Sequence, residues 1–266
     1  MLDNINLKKK LSREEFKRVL PMLQKRLYDL EKASWDHGAA TIVVFEGWDA
    51  SGKGTTISAL TQRLDPRGFK LYPITVPRTY EQQKPWLWRF WLKLPNRGEM
   101  IIFDHSWYRR VWDDRVEGTV PEKVWRQAYR DITEFERMIA DDGTSILKFF
   151  LHISRKEQKK RFRSIEGDPL ETWRVTEADW ARHKKYEDYF AAAEEMLEQT
   201  DSEFGPWTII EATSKWHARR KVFETIIAAM EKRLGPNAPP RSEYAEASRK
   251  DADLRAAMEK LGESGV

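Results

Sequence analysis

Residues 41–58 constrain the fold more than any other stretch of the chain. The run TIVVF at 41–45 is typical of a buried strand because it is apolar and rich in β-branched residues. The loop GWDASGKGT follows at 47–55, and a helical pattern begins at Thr56. A strand that passes through glycine, four residues and Gly-Lys into a helix is the pattern of a phosphate-binding loop. The alternative is a glycine-rich turn without a ligand, but strand, loop and helix stand in the order that phosphate binding requires.

The phosphate loop, residues 47–55, has a physical basis for holding anions. Gly47 and Gly52 permit backbone angles that other residues resist, so successive N–H groups can point inward. The following helix adds the positive end of its dipole, and Lys53 adds a full charge. The predicted phosphate-binding residues of the loop are Gly47, Ala50, Ser51, Gly52, Lys53, Gly54 and Thr55.

Two aspartates predict a magnesium site beside the loop. Asp104 ends a second apolar strand, MIIFD at 100–104, and an acid in this position holds Mg²⁺ in phosphate-loop enzymes. Asp49 lies inside the loop, where its carboxylate would repel phosphate unless a cation lay between them. The alternatives are a turn-capping role for Asp49 and a helix N-cap role for Asp104.

Three motifs together resemble the family 2 polyphosphate kinases, which move phosphoryl groups between inorganic polyphosphate and nucleotides. They are GWDASGKG at 47–54, FDHSWYRRV at 103–111, and DPL at 168–170 with WRVT at 173–176. The motifs occur in the family's order, and the resemblance spans roughly residues 10–235. It implies Mg²⁺ as cofactor, and inorganic polyphosphate with AMP or ADP as substrates. WY-x-RV at 107–111 and RVEG at 115–118 look like the subgroup that forms ADP from AMP.

The resemblance also implies a basic lid over the phosphates at about residues 155–180. A solvated basic helix face is the ordinary alternative for these cations. Two departures stand out: the family commonly has arginine in place of His105, and some members have two arginines in place of Ile165 and Glu166. The roles of Arg78 and Arg89 stay open. The cations expected at the phosphates are Arg109, Arg110, Lys160, Arg161, Arg163 and Arg174.

Strand and helix patterns alternate along the chain, which predicts an α/β fold with a parallel sheet and helices on both faces. We expect the three-layer architecture of phosphate-loop kinases, with one domain at 1–235 and a tail at 236–266 that contains a surface helix. Long helices are predicted at 12–34, 121–140, 176–199 and 215–233. The five predicted strands are 41–46, 69–76, 100–104, 145–153 and 207–211.

The composition limits the other classes of function. The net charge of +4 does not indicate a general nucleic-acid binder, and the absence of cysteine excludes thiolate metal sites and disulfides. The first twenty residues lack the apolar core of a signal peptide, and no run reaches the ~18 apolar residues of a membrane span. We therefore expect a cytoplasmic protein without a membrane partner.

The predicted catalytic residues are Asp49, Lys53, Asp104 and Arg109. A nucleotide phosphate is already anionic at neutral pH, so phosphoryl transfer to it needs alignment and charge neutralisation but no general base. ADP as acceptor and an ATP-dependent nucleoside monophosphate kinase are the alternative enzymes. A non-catalytic phosphate sensor is the alternative outside enzymology, and the intact Gly-Lys loop with both aspartates argues against it. We expect a homo-oligomer, either a dimer or a tetramer.

Overall fold

A five-stranded parallel sheet forms the centre of the computed structural model, which describes residues 1–240. The strand order is β2-β3-β1-β4-β5, so the strand before the phosphate loop lies in the middle. Phe45 of this strand is in register with Asp104 on one side and Phe149 on the other. The strands are β1 Thr41–Gly47, β2 Phe69–Pro73, β3 Met100–Asp104, β4 Ser145–His152 and β5 Trp207–Glu211.

Helices cover both faces of the sheet. On one face α1, α2 and α10 pack together, and on the other α5, α6 and α9 pack together. Every residue of β1 is buried between the two layers. The helices are α1 Arg13–His37, α2 Lys53–Thr61, α3 Thr79–Gln82, α4 Trp88–Trp91, α5 Asp113–Val116, α6 Glu122–Asp141, α7 Arg155–Glu166, α8 Glu177–Lys184, α9 Tyr186–Thr200 and α10 Lys215–Leu234.

The predicted parallel sheet is confirmed, and β2 is the strand whose bounds differ most. It ends at Pro73 and not at Val76. Its partner β3 ends at Asp104, which lies opposite Pro73, and the Asp104 carbonyl then accepts a final hydrogen bond from the Ile74 N–H at 2.9 Å. No further β3 residue is available for residues 75 and 76, so they leave the sheet.

The single long helix predicted at 176–199 is wrong, because two helices meet at Lys185. Tyr186 explains the break. Its ring stacks on Trp48 at 4.1 Å between ring centroids, and its hydroxyl donates to the Ile153 carbonyl. These tertiary contacts hold the start of α9 against the sheet, while α8 turns away toward the phosphate loop.

The described helices are too short or too polar to cross a membrane. The helix predicted within the tail at about 242–262 lies outside residues 1–240.

Candidate active site

The phosphate loop has an unusual backbone at three positions. Gly47 and Gly52 have φ values of +127° and +101°, and Ala50 has a φ of +57°. A Cβ at position 47 would lie 2.4 Å from the Leu151 carbonyl oxygen, so only glycine fits where β1 approaches β4. The left-handed conformation of Ala50 costs free energy in a residue with a side chain. The loop therefore holds a shape that the surrounding structure must stabilise.

Lys53 is the first residue of α2 and is 8% exposed. Its ammonium group donates to the Gly47 carbonyl at 2.6 Å and to the Trp48 carbonyl at 3.2 Å. The side chain thus folds back over the loop that precedes it. This places a positive charge at the N-terminus of α2, where the helix dipole also favours anions.

Asp49 and Asp104 line the same cleft, which has a volume of about 630 Å³. The phosphate-loop residues 50–55, Arg161 and Arg174 also line it, together with residues of the β5–α10 connection. Asp104 Oδ1 is buried and has no hydrogen-bond partner among the described residues. A buried carboxylate oxygen without a partner is costly unless a ligand completes it, so this atom fits a metal ion.

The donor set suits Mg²⁺ more than a metal held wholly by protein. Residues 1–240 contain no cluster of three or more histidine, cysteine, aspartate or glutamate side chains able to hold a metal. Mg²⁺ is commonly bound by one or two carboxylates, with waters and substrate phosphate oxygens as its other ligands. Asp49 and Asp104 in a phosphate-loop cleft match that arrangement.

Asp49 has a partner that the sequence did not suggest. Arg182 of α8 donates from Nε to Asp49 Oδ2 at 2.7 Å and also pairs with Asp179. Burial raises the pKa of Asp49, but the charges of Lys53, Arg182 and His105 outweigh it and hold the pKa below its usual range. Asp49 therefore stays an anion in the cleft.

Glu46 is a second unexpected residue, since it is a fully buried carboxylate at the end of β1. It accepts hydrogen bonds from the Ser106 hydroxyl at 2.8 Å and from His105 Nδ1 at 3.1 Å. Burial raises the pKa of Glu46, but the bonds from His105 and Ser106 and the charge of Lys53 together lower it. His105 has a φ of +61°, and this network fixes it next to Asp104. His105 itself also lines the cleft.

Arg161 differs most from its expected role. All five N–H groups of its guanidinium donate to protein oxygens, which belong to Glu157, Ala50, Ser51, Ala212 and Thr213. An arginine side chain has five N–H donors, so none is left for a phosphate in this structure. The expected phosphate contact is replaced by contacts to the phosphate loop itself.

The other expected cations lie at different distances from the cleft. Arg174 lines it and pairs with Glu171. Arg109 pairs with Asp113 at 3.3 Å, and Arg110 pairs with Asp114 at 3.4 Å. Both arginines lie in a short 3₁₀ turn at 107–110. Lys160 and Arg163 are exposed residues of α7 and do not line the cleft.

Arg182 and Glu46 contact the site but were not predicted from the sequence. Glu46 is a charged residue directly after a buried apolar run, which was a usable signal of a buried polar network. Arg182 lies in a helix rich in charged residues, and no pattern within the chain separates it from its neighbours.

The central sheet, the phosphate loop and the paired aspartates define a phosphate-loop protein of the kinase type. The model of the polyphosphate kinase 2 family matches residues 10–237. The chain therefore belongs to the polyphosphate kinase 2 family, as its motifs predicted.

Individual relatives agree with this assignment. A polyphosphate:AMP phosphotransferase of Pseudomonas syringae pathovar tomato is 41% identical over 232 residues, which is 87% of this chain and 47% of that protein. An AMP/ADP-polyphosphate phosphotransferase of Meiothermus ruber is 35% identical over 80% of both chains. The crystal structure of polyphosphate kinase 2 from Arthrobacter aurescens TC1 superposes with a TM-score of 0.86 at 26% identity, over 96% of this chain and 93% of that one. This chain spans about half the length of the first curated relatives it matches.

Proposed function

We propose that this chain catalyses Mg²⁺-dependent phosphoryl transfer between inorganic polyphosphate and a nucleotide, with AMP as acceptor and ADP as product. The observation that carries the proposal is the shared cleft of the phosphate loop, Lys53, Asp49 and Asp104. Family membership and the names of three relatives, each a polyphosphate:AMP phosphotransferase, support polyphosphate as donor and AMP as acceptor.

In this proposal the phosphate loop and Lys53 hold one phosphate partner. The loop supplies backbone N–H groups at the start of α2, and Lys53 supplies charge at the same point. Asp49 and Asp104 would hold Mg²⁺, which neutralises charge on the transferred group when it is bound. The acceptor is a nucleotide phosphate oxygen that is already anionic, so none of the side chains has to remove a proton.

Further cations would neutralise the phosphate chain. Arg174 lines the cleft already, and Arg163 and Lys160 are exposed residues of α7. Lys160 pairs with Glu157 at 3.8 Å and would exchange this partner for a long polyanion. Arg109 and Arg110 would reach phosphate by exchanging their aspartate partners. One electrostatic contact of this kind is typically worth about a hundredfold in rate, or ~3 kcal/mol.

Product analysis tests both donor and acceptor. The purified protein is mixed with Mg²⁺ and long-chain polyphosphate, with AMP in one tube and ADP in another, and the nucleotides are separated by chromatography. We expect ADP from AMP, with little ATP at early times. Rapid ATP from ADP would keep the family activity and change the acceptor. ADP formed only when ATP replaces polyphosphate would show an ordinary nucleoside monophosphate kinase.

We also propose that the chain is a homo-oligomer with a cytoplasmic location. The first proposal is an expectation from the family resemblance, and the second rests on the lack of long apolar runs in the sequence. Light scattering of the purified protein tests the oligomeric state.

A further inference from the structure

We infer that Arg161 is a positioning residue, which holds the phosphate loop in its anion-binding shape and does not itself bind phosphate. The inference rests on the proposed function, because it assumes that the loop binds a phosphate group during catalysis. Arg161 is on α7, at the base of the predicted lid, more than a hundred residues along the chain from the loop.

The geometry around the guanidinium shows how the loop is held. Nη1 donates to the Ala50 carbonyl at 2.9 Å and to the Ser51 carbonyl at 3.0 Å. Nη2 donates to the Ala212 carbonyl at 2.7 Å and to the Thr213 carbonyl at 3.0 Å. One planar group therefore joins the phosphate loop to the connection between β5 and α10. The remaining Nε–H donates to Glu157 at 2.9 Å, which fixes the plane of the group.

These bonds fix the part of the loop whose backbone has positive φ angles. Ala50 has a positive φ, and Gly52 follows with another. In a trans peptide the carbonyl and the next N–H point in opposite directions, so a fixed Ser51 carbonyl also fixes the direction of the Gly52 N–H. Arg161 bonds the carbonyl side of the Ser51–Gly52 peptide and thereby determines which way the N–H on the other side points.

A second contact from the lid helices supports the same residues. Gln158, which is one turn before Arg161, donates to the Asp49 carbonyl at 3.2 Å. His183 of α8 donates in turn to Gln158 Oε1 at 2.7 Å. The carbonyls of three successive loop residues, 49–51, are therefore held by α7 side chains. Charge neutralisation of a ligand cannot explain these contacts to the loop, because the acceptors at residues 49–51 are all main-chain oxygens of the protein.

The test uses Arg161→Lys, with Arg130→Lys as the matched control. Lysine keeps the charge but has three donors at a single point, so it cannot span four carbonyls as the arginine fork does. Arg130 is an exposed residue of α6, and its ion-pair partner at 3.7 Å is Glu134 of the same helix. Backbone hydrogen exchange of residues 47–55 and the kinetics of ADP formation are measured for both variants and for wild type.

We expect Arg161→Lys to speed exchange in the loop by about tenfold or more, while the strands exchange as in wild type. Turnover should fall by about a hundredfold because the loop N–H groups are misdirected, whereas the KM for polyphosphate should change little because Lys53 and the other cations keep their charge. Arg130→Lys should match wild type in both measurements.

Two results would overturn the inference. Unchanged loop exchange with a raised KM for polyphosphate would make Arg161 a phosphate ligand. Faster exchange throughout the sheet with a matching loss of thermal stability would make it a general structural residue. If wild type transfers no phosphoryl group, the proposed function fails by itself, and loop exchange still decides the role of Arg161: exchange in Arg161→Lys that matches wild type would reject it.

Discussion

Lys148 and Glu136, which are buried against the sheet, have complete hydrogen bonding, whereas Asp104 in the cleft has a buried oxygen without a partner among the described residues. Lys148 and Glu136 are both fully buried. The three N–H donors of Lys148 bond Glu136, the Tyr108 hydroxyl and the Thr200 carbonyl, at 2.7 to 2.9 Å. Glu136 also accepts from Tyr108 and from the Trp107 indole. All three donors of Lys148 and both carboxylate oxygens of Glu136 therefore have partners within the protein. We call this the closed network.

The cleft differs because its groups are only partly satisfied by the protein. Asp104 has a buried oxygen without a partner, and the phosphate loop has a strained backbone that side chains of α7 hold in place. Buried charge with complete hydrogen bonding serves the fold, whereas an incomplete buried carboxylate next to a loop of N–H groups is prepared for a ligand. The two regions should therefore respond in opposite ways to substitution.

The largest effect is expected at Asp104. Asp104→Asn keeps the shape of the side chain and removes the charge that we assign to Mg²⁺, so turnover should fall by about a thousandfold or more. The melting temperature should stay close to wild type, because no protein hydrogen bond of Oδ1 is lost. Asp36→Asn, an exposed aspartate paired with Lys32 on α1, is the control. Near-normal turnover of Asp104→Asn would remove Asp104 from the metal site.

The opposite response is expected at Lys148. Lys148→Met leaves Glu136 as an unpaired buried charge, which should cost about 3–5 kcal/mol of unfolding free energy. Turnover per folded molecule should stay close to wild type. Urea unfolding measures the loss, and adding Glu136→Gln should recover part of it, since the amide oxygen can still accept from Trp107. A single variant as stable as wild type would show that the closed network does not stabilise the fold.

Glu31 provides an intermediate case for the comparison, because one of its oxygens is buried without a partner but no phosphate loop lies beside it. Burial raises the pKa of Glu31 to about 7, although the Asp65 N–H bond opposes the shift. The folded state then binds a proton more tightly than the unfolded state, so stability falls as pH rises from about 4.5 to about 7. Relative to Glu31→Gln, wild type should lose roughly 2–3 kcal/mol over this range.

Urea unfolding of wild type and Glu31→Gln measures this difference at pH 4.5, the ordinary pKa of the carboxyl, and at pH 8, above its raised pKa of about 7. Parallel changes in the two proteins would contradict it.

The smallest effect is expected at Arg163. This exposed α7 residue should contact only a long polyanion, so Arg163→Ala should raise the KM for long polyphosphate by up to about tenfold. The KM for AMP should not change. Steady-state kinetics with polyphosphate of different lengths measures both constants, and an equal effect on the two substrates would count against a lid role.

The parts of the molecule that depend on local patterns were predictable from the sequence. The strands, the phosphate loop and the family follow from short runs of residues whose order carries the information. The break between α8 and α9 at Lys185 was not predictable in this way, because it depends on the contact of Tyr186 with Trp48, which is far away in the chain.

The roles of the arginines were less predictable for the same reason. A basic helix near a phosphate loop favours phosphate contacts, but four of the five acceptors of Arg161 are main-chain oxygens 51 to 111 residues away, which leave no trace in composition. Arg182 meets Asp49 across 133 residues. The sequence predicts a set of charges for the site, but it could not decide which of them hold a ligand and which hold the loop.

Transfer from polyphosphate to AMP is tested most directly by ³¹P nuclear magnetic resonance of wild type with Mg²⁺, long-chain polyphosphate and AMP, without ATP. We expect the β-phosphate signal of ADP to grow as the signal of internal polyphosphate phosphates falls in equal amount, with no matching rise of inorganic phosphate. Loss of polyphosphate to inorganic phosphate without ADP, or no change in either signal, would contradict it.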